Sequence, residues 1–121
     1  MKPLFPSESL HYAKLTLGPQ SPELTGEAAH LAGWALKNLE GRFPGLKVVR
    51  SLVGAREVRL LLDFNRLDED LLRVLQSYKS EVRNLLKKKG FSGEHLWQWN
   101  YEECWVATPE DLARVEPFLA I

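Results

Sequence analysis

The chain has 121 residues, enough for one domain with an ordinary core, and its 45% hydrophobic and 26% charged content is that of a globular protein in water. Sixteen Lys and Arg balance sixteen Asp and Glu, so no global attraction to nucleic acid or to a membrane is implied, and any such surface has to be local. No apolar run is long enough to span a bilayer, the first residues lack the apolar core of a signal peptide, and the single cysteine, Cys104, has no intrachain partner; these features favour the cytoplasm.

Residues 1–9, with two prolines, are expected to form a loose lead-in to a single domain. "HYAKLTL" (11–17) predicts a first strand, and the turn-rich 18–26 follows it. Leu24, Ala28, Leu31, Ala35, Leu36 and Leu39 recur at helical spacing, which predicts a helix over 26–42, ended by Pro44 and Gly45. "LKVVRSLV" (46–53) is a second strand, and a turn at Gly54 and Ala55 leads into a third, giving a hairpin. Leu71, Leu75, Tyr78, Val82 and Leu85 mark the apolar stripe of a long second helix, with Asp68 as its N-cap and Gly90 as its C-cap. Residues 95–107, aromatic and β-branched, predict a fourth strand with an irregular start. Thr108, Pro109 and Asp111 then supply an N-cap, a first-turn proline and an acidic N3 residue for a short last helix. The order β-α-β-β-α-β-α is the ferredoxin-like split βαβ plan, an antiparallel α+β sheet with helices mainly on one face and one helix appended.

The third strand, "GAREVRLLLDF" (54–64), alternates: Val58, Leu60, Leu62 and Phe64 on one face, Glu57, Arg59, Leu61 and Asp63 on the other. An acid and a base thus sit two residues apart on one face, close enough to pair. Glu57 could offer an oxygen to a metal, but Arg59 has no lone pair to give and its fixed charge opposes a cation, so an ion pair is the plainer reading. His11, His30 and His95 lack ligand spacing, and Tyr12, Tyr78, Tyr101 and Cys104 are expected as core or semi-buried side chains. The second helix carries a basic stripe: Lys79, Arg83 and Lys87 every four residues, Arg73 before them, Lys88 and Lys89 after. Such a stripe binds phosphates or is simply solvated. Trp97 and Trp99 share one face of the fourth strand, placed for core or dimer packing or for stacking on unpaired bases.

Taken in order, "LHYAKLTL", "LTGEAAHLAGWALKNLEGRFPGLKVV", "LLRVLQSYKSEVRNLL" and "GEHLWQWNYEECWVATPEDLARVEPFL" resemble the single-tyrosine transposases of the HUH superfamily, REP-associated and insertion-sequence-200-like. The resemblance runs from about His11 to Phe118. It implies a DNA-nicking scaffold in which two histidines, one residue apart on the central strand, hold Mg²⁺ or Mn²⁺ and a tyrosine on the last helix attacks a DNA phosphate. Residue by residue, the histidine positions fall on Glu57 and Arg59 and the tyrosine position on Phe118. The resemblance therefore implies a catalytically degenerate relative with no resident metal. It would bind single-stranded or hairpin DNA through Arg73, Lys79, Arg83, Lys87 and Lys88, and would form a homodimer. Phe118 is expected to pack the last helix onto the sheet. Two other classes remain open: a structural or interaction domain without a nucleic-acid role, and a transposase with a relocated site.

Overall fold

The computed structural model describes residues 10–19, 21–64, 69–91, 96–106 and 108–119, with the backbone alone at 99–101 and 104–105. Period-two and period-3.6 apolar patterns resolve into β1 (Leu10–Leu17), α1 (Glu27–Arg42), β2 (Lys47–Val53), β3 (Glu57–Asp63), α2 (Leu71–Lys88), β4 (Trp97–Trp105) and α3 (Pro109–Leu119). The sheet order is β2-β3-β1-β4, with every neighbouring pair antiparallel. This is the expected ferredoxin-like α+β arrangement. β1 advances from 15 to 17 while β4 runs from 101 to 97, which is the irregular start foreseen for the fourth strand.

The two faces of the sheet do different work. Ala13, Leu15 and Leu17 of β1 and Val58, Leu60 and Leu62 of β3 point to the face covered by α1 and α2, and all are buried in the main core. The other face carries Leu10, Tyr12 and Leu61, which join Val106, Val115 and Leu119 in a second, smaller core under α3. Leu61 thus belongs with the charged residues of its strand because α3 covers that end of the face. The appended helix turns a one-sided sheet into a partly two-sided one.

Helix ends follow their local chemistry. At the start of α3 the Asp111 N–H donates to Thr108 Oγ1 and the Thr108 N–H donates to Asp111 Oδ2, both at 3.2 Å, a reciprocal capping pair. At the end of α2, Gly90 takes φ +89, and the N–H groups of Phe91 and Gly90 donate to the carbonyls of Leu86 and Lys87. That is a Schellman closure, possible because glycine has no Cβ to clash in this region. The N-cap of α2 is Asp70, whose side chain makes no capping bond. Asp68, the cap anticipated from the sequence, lies outside the described residues. The buried stripe of α2 is Val74, Leu75, Tyr78, Val82 and Leu86, so the last turn sits one residue further on than the Leu85 of the sequence pattern.

α1 and α2 run side by side, held across their boundary by Glu81, which accepts from Asn38 Nδ2 at 2.8 Å and pairs with Arg42 at 3.2 Å. Beneath them, the fully buried Tyr78 donates its hydroxyl to the Ala32 carbonyl at 3.0 Å. Burial, aided by the nearby Glu81 charge, pushes this hydroxyl far above its ordinary value of 10.0. The neutral form is therefore kept in the fold, while the unfolded chain ionises near 10, so the stabilisation is complete below that pH and is lost as pH rises above it. Chemical denaturation between pH 9 and 11 should show this loss, and Tyr78→Phe should flatten it while costing about 1 kcal/mol at neutral pH.

Candidate functional site

The antiparallel register of β1 against β3 pairs Lys14 with Arg59 and Thr16 with Glu57, and β4 brings Glu102 opposite Lys14. Four charged side chains from three strands therefore meet on the sheet face beside α3. Arg59 Nε donates to Glu57 Oε2 at 2.8 Å, Lys14 Nζ stands 3.9 Å from the same oxygen, and Lys14 pairs with Glu102 at 2.7 Å. The hydrogen bond to Glu102 is the main reason the Lys14 ammonium lies above its ordinary range. The cluster carries two positive and two negative groups, and it is half-buried at Lys14, Glu57 and Arg59.

Arg59 also reaches across to the end of α3. Its Nη1 donates to the Phe118 carbonyl at 3.1 Å, and its guanidinium lies 5.4 Å from the Phe118 ring centroid. A cation at a helix C-terminus meets the negative end of the helix dipole, and a guanidinium over an aromatic face meets its negative quadrupole. The three positions singled out in sequence, Glu57, Arg59 and Phe118, are thus brought together although 59 residues separate the last two. Phe118 does not bury itself, however. It is 46% exposed, and Val115 and Leu119 pack α3 instead, because the phase of the helix turns those two toward the sheet. The Phe118 ring rests at the rim, tilted against Tyr12 at 6.1 Å. Tyr12 is nearly buried and its hydroxyl is held above the ordinary range by desolvation, opposed by Arg59 and Lys14.

The donor set here does not suit a divalent metal. Glu57 and Glu102 are both engaged by cations, and Lys14 and Arg59 would repel an incoming ion. Among the described residues, no three His, Cys, Asp or Glu side chains gather as a metal-holding group. His11 lies against Phe64 and 3.5 Å from Glu103, and His30 is exposed on α1; His95 lies outside the described residues. What this cluster does physically is clasp α3. Arg59→Ala should lower stability by about 1–2 kcal/mol and speed amide exchange in α3 more than elsewhere. Denaturant titration with hydrogen exchange checks both.

The basic stripe lies on the opposite side of the molecule, on α2. Lys79 is not available there as drawn from the sequence. Its ammonium donates to the Gln98 carbonyl at 2.9 Å, its carbonyl accepts from Trp97 Nε1 at 3.1 Å, and burial pulls its pKa down. Lys79 and Trp97 together tie the start of β4 to the helix. Trp97 is half-buried against the main core, tilted over Tyr78, while the Trp99 side chain lies outside the described set. Arg73 pairs loosely with Glu69 at 3.6 Å. Arg83, Lys87 and Lys88 are exposed, and none of them is ion-paired among the described residues.

Sequence reasoning passed over Lys14, Glu102 and Tyr12 as members of the sheet-face cluster. Tyr12 and Lys14 stand two apart on β1 and so share one side, but only the register shows which residues they face. Among the described residues, no helix is long and apolar enough to cross a membrane. No family model matches the sequence, and no curated protein matches it. Among solved structures, the fold matches a REP-associated tyrosine transposase bound to a REP hairpin, with a TM-score of 0.73 at 11% identity, over 98% of this chain and 72% of that one. It also matches a presumptive transposase from Deinococcus radiodurans R1, with a TM-score of 0.68 at 17% identity, over 98% of this chain and 93% of that one. At these identities the shared property is architecture: the chain has the fold of these transposases across nearly its whole length.

Proposed function

We propose that the chain is a degenerate member of the HUH single-tyrosine transposase family that binds single-stranded or hairpin DNA through α2 and does not nick it by the family chemistry. The observation that carries the reading is the charge on α2. The helix holds five basic side chains against one acidic one in a chain of zero net charge. Three of the five, Arg83, Lys87 and Lys88, are exposed and unpaired among the described residues. A positive helix on a balanced protein is a local phosphate-binding surface. The fold likeness supports DNA as the phosphate source, since one neighbour is held on a REP hairpin.

The loss of chemistry rests on the same face-to-face comparison of roles. A nucleophile needs a hydroxyl or its equivalent, and Phe118 has none. A metal needs donors, and positions 57 and 59 hold a carboxylate already bound to a guanidinium. Arg59 now binds the end of the helix on which the tyrosine would stand. The homodimer implied by the family resemblance would use the open β4 edge, and light scattering should then give twice the 13.8 kDa chain mass. The DNA reading is tested by mobility shift with single-stranded and hairpin DNA across a salt series. Binding that weakens steeply with salt is expected, and no shift even at low salt would remove the reading, because phosphate contacts strengthen as salt falls.

A further inference from the structure

The contacts of α2 assign its sides. Tyr78, Val82 and Leu86 turn inward to the main core. Ser77 and Glu81 turn to α1, where they meet Arg42 and Asn38. Lys79 turns to β4, where it holds the Gln98 carbonyl. At 3.6 residues per turn, the side opposite the core is left to Arg73, Gln76, Ser80, Arg83, Asn84 and Lys87, and all six are exposed. This outer ridge holds no carboxylate, since Glu81 is turned to α1; Arg73 alone has an acidic neighbour, Glu69 at 3.6 Å. Ser80, the smallest side chain of the ridge, stands at its middle. Gln76 lies one turn before it and Asn84 one turn after, and neither makes a side-chain hydrogen bond among the described residues. Two carboxamides thus face solvent with donors and acceptors free. Serine and asparagine are weaker helix formers than alanine, glutamate or lysine, so helix propensity does not call for them here.

We infer that this ridge enters the major groove of paired DNA, with Gln76 and Asn84 reading base edges while Arg83 and Lys87 hold flanking phosphates. The inference rests on the DNA-binding reading above and commits it to a paired stem whose sequence is read. The dimensions fit. A major groove is about 12 Å wide and admits one helix. Gln76 and Asn84 are eight residues apart, or about 12 Å along the axis, which spans three to four base steps of about 3.4 Å. The chemistry fits as well. A carboxamide donates to adenine N7 and accepts from its N6 amine, a pairing that lysine and arginine cannot make. Unpaired bases are gripped by stacking on aromatic side chains, and the ridge has none, so its groups suit the edges of paired bases.

The test uses the full chain and a pool of DNA hairpins that share one loop and carry randomised stem pairs. The bound fraction is recovered and sequenced, and anisotropy over a salt series measures the enriched stems. The wild type should enrich adenine at two stem positions three or four pairs apart. Gln76→Ala and Asn84→Ala should each lose about tenfold of that preference at one of the two positions, with the salt slope unchanged. Deazaadenine, which lacks the N7 acceptor, should weaken the wild type at the Asn84 position and leave Asn84→Ala where it was. Arg83→Ala with Lys87→Ala should instead weaken all stems alike and lower the slope. Both amides are exposed, so thermal melting of the two variants should match the wild type. Wild-type binding without a stem preference, or a preference that both amide variants retain, overturns the inference and leaves the DNA reading standing. Binding of oligothymidylate but of no hairpin does the same. No binding of either at low salt overturns both.

Discussion

Replacing Arg83, Lys87 and Lys88 together by alanine is expected to lower affinity for single-stranded DNA about a hundredfold near 0.1 M salt and to reduce the salt slope by about two. The magnitude follows from counterion release. Each phosphate contact on a single strand releases roughly 0.7 of a counterion, so three contacts account for about two decades at that salt. These three side chains are exposed, and none carries an ion pair among the described residues, so their removal costs the fold little. Lys79 is a poor choice for the same experiment. Its ammonium holds the Gln98 carbonyl, and Lys79→Ala would disturb the attachment of β4 as well as the charge. Filter binding or anisotropy over a salt series gives both the affinity and the slope. An unchanged slope would move the phosphate contacts off α2.

The largest expected effect on stability is that of Tyr78→Ala, at about 3–5 kcal/mol. Tyr78 is the largest fully buried side chain described, placed where α1, α2 and the start of β4 meet. Its ring lies tilted against Trp97 at 6.1 Å, and its hydroxyl is the donor to Ala32. Truncation leaves a cavity and removes the hydrogen bond at once. The denaturant midpoint should fall with the m-value unchanged, which separates lost stability from a changed unfolded state. Comparison with Tyr78→Phe, which keeps the ring, divides the packing part from the hydroxyl part.

Much of the architecture was legible because the elements announce themselves locally. The 3.6-residue stripe of α2, the Thr108–Asp111 pair and the glycine at 90 specify helix and ends without help from the rest of the chain. Glu57, Arg59 and Phe118 were singled out by another route, the order of motifs along the chain; that Arg59 reaches Phe118 is seen only in the fold. What stayed hidden depends on distant register. Lys14 and Glu102 enter the cluster because β1 lies between β3 and β4, and no local pattern states that pairing. The engagement of Lys79 depends on where β4 starts relative to α2. The exposure of Phe118 depends on the phase of a helix only eleven residues long, in which one position of rotation decides whether Phe118 or Leu119 goes inward.

The proposed reading, a clasp where the family would hold a metal, has a physical logic. Two cations and two carboxylates on one half-buried face neutralise one another, where a metal would have needed its ligands free of cations. The same guanidinium donates to the Phe118 carbonyl near the end of α3 and so helps hold that helix in place.

The central claim, binding without nicking, is tested most directly by one reaction read two ways. The chain is incubated at low salt with Mn²⁺ and labelled single-stranded DNA that carries a hairpin, and the products are run on native and denaturing gels. The account predicts a shifted band on the native gel and an intact, protein-free strand on the denaturing gel. A cleaved strand, or protein joined covalently to its 5′ end, would contradict it, most pointedly if the linkage mapped to Tyr12, the tyrosine that rests against Phe118.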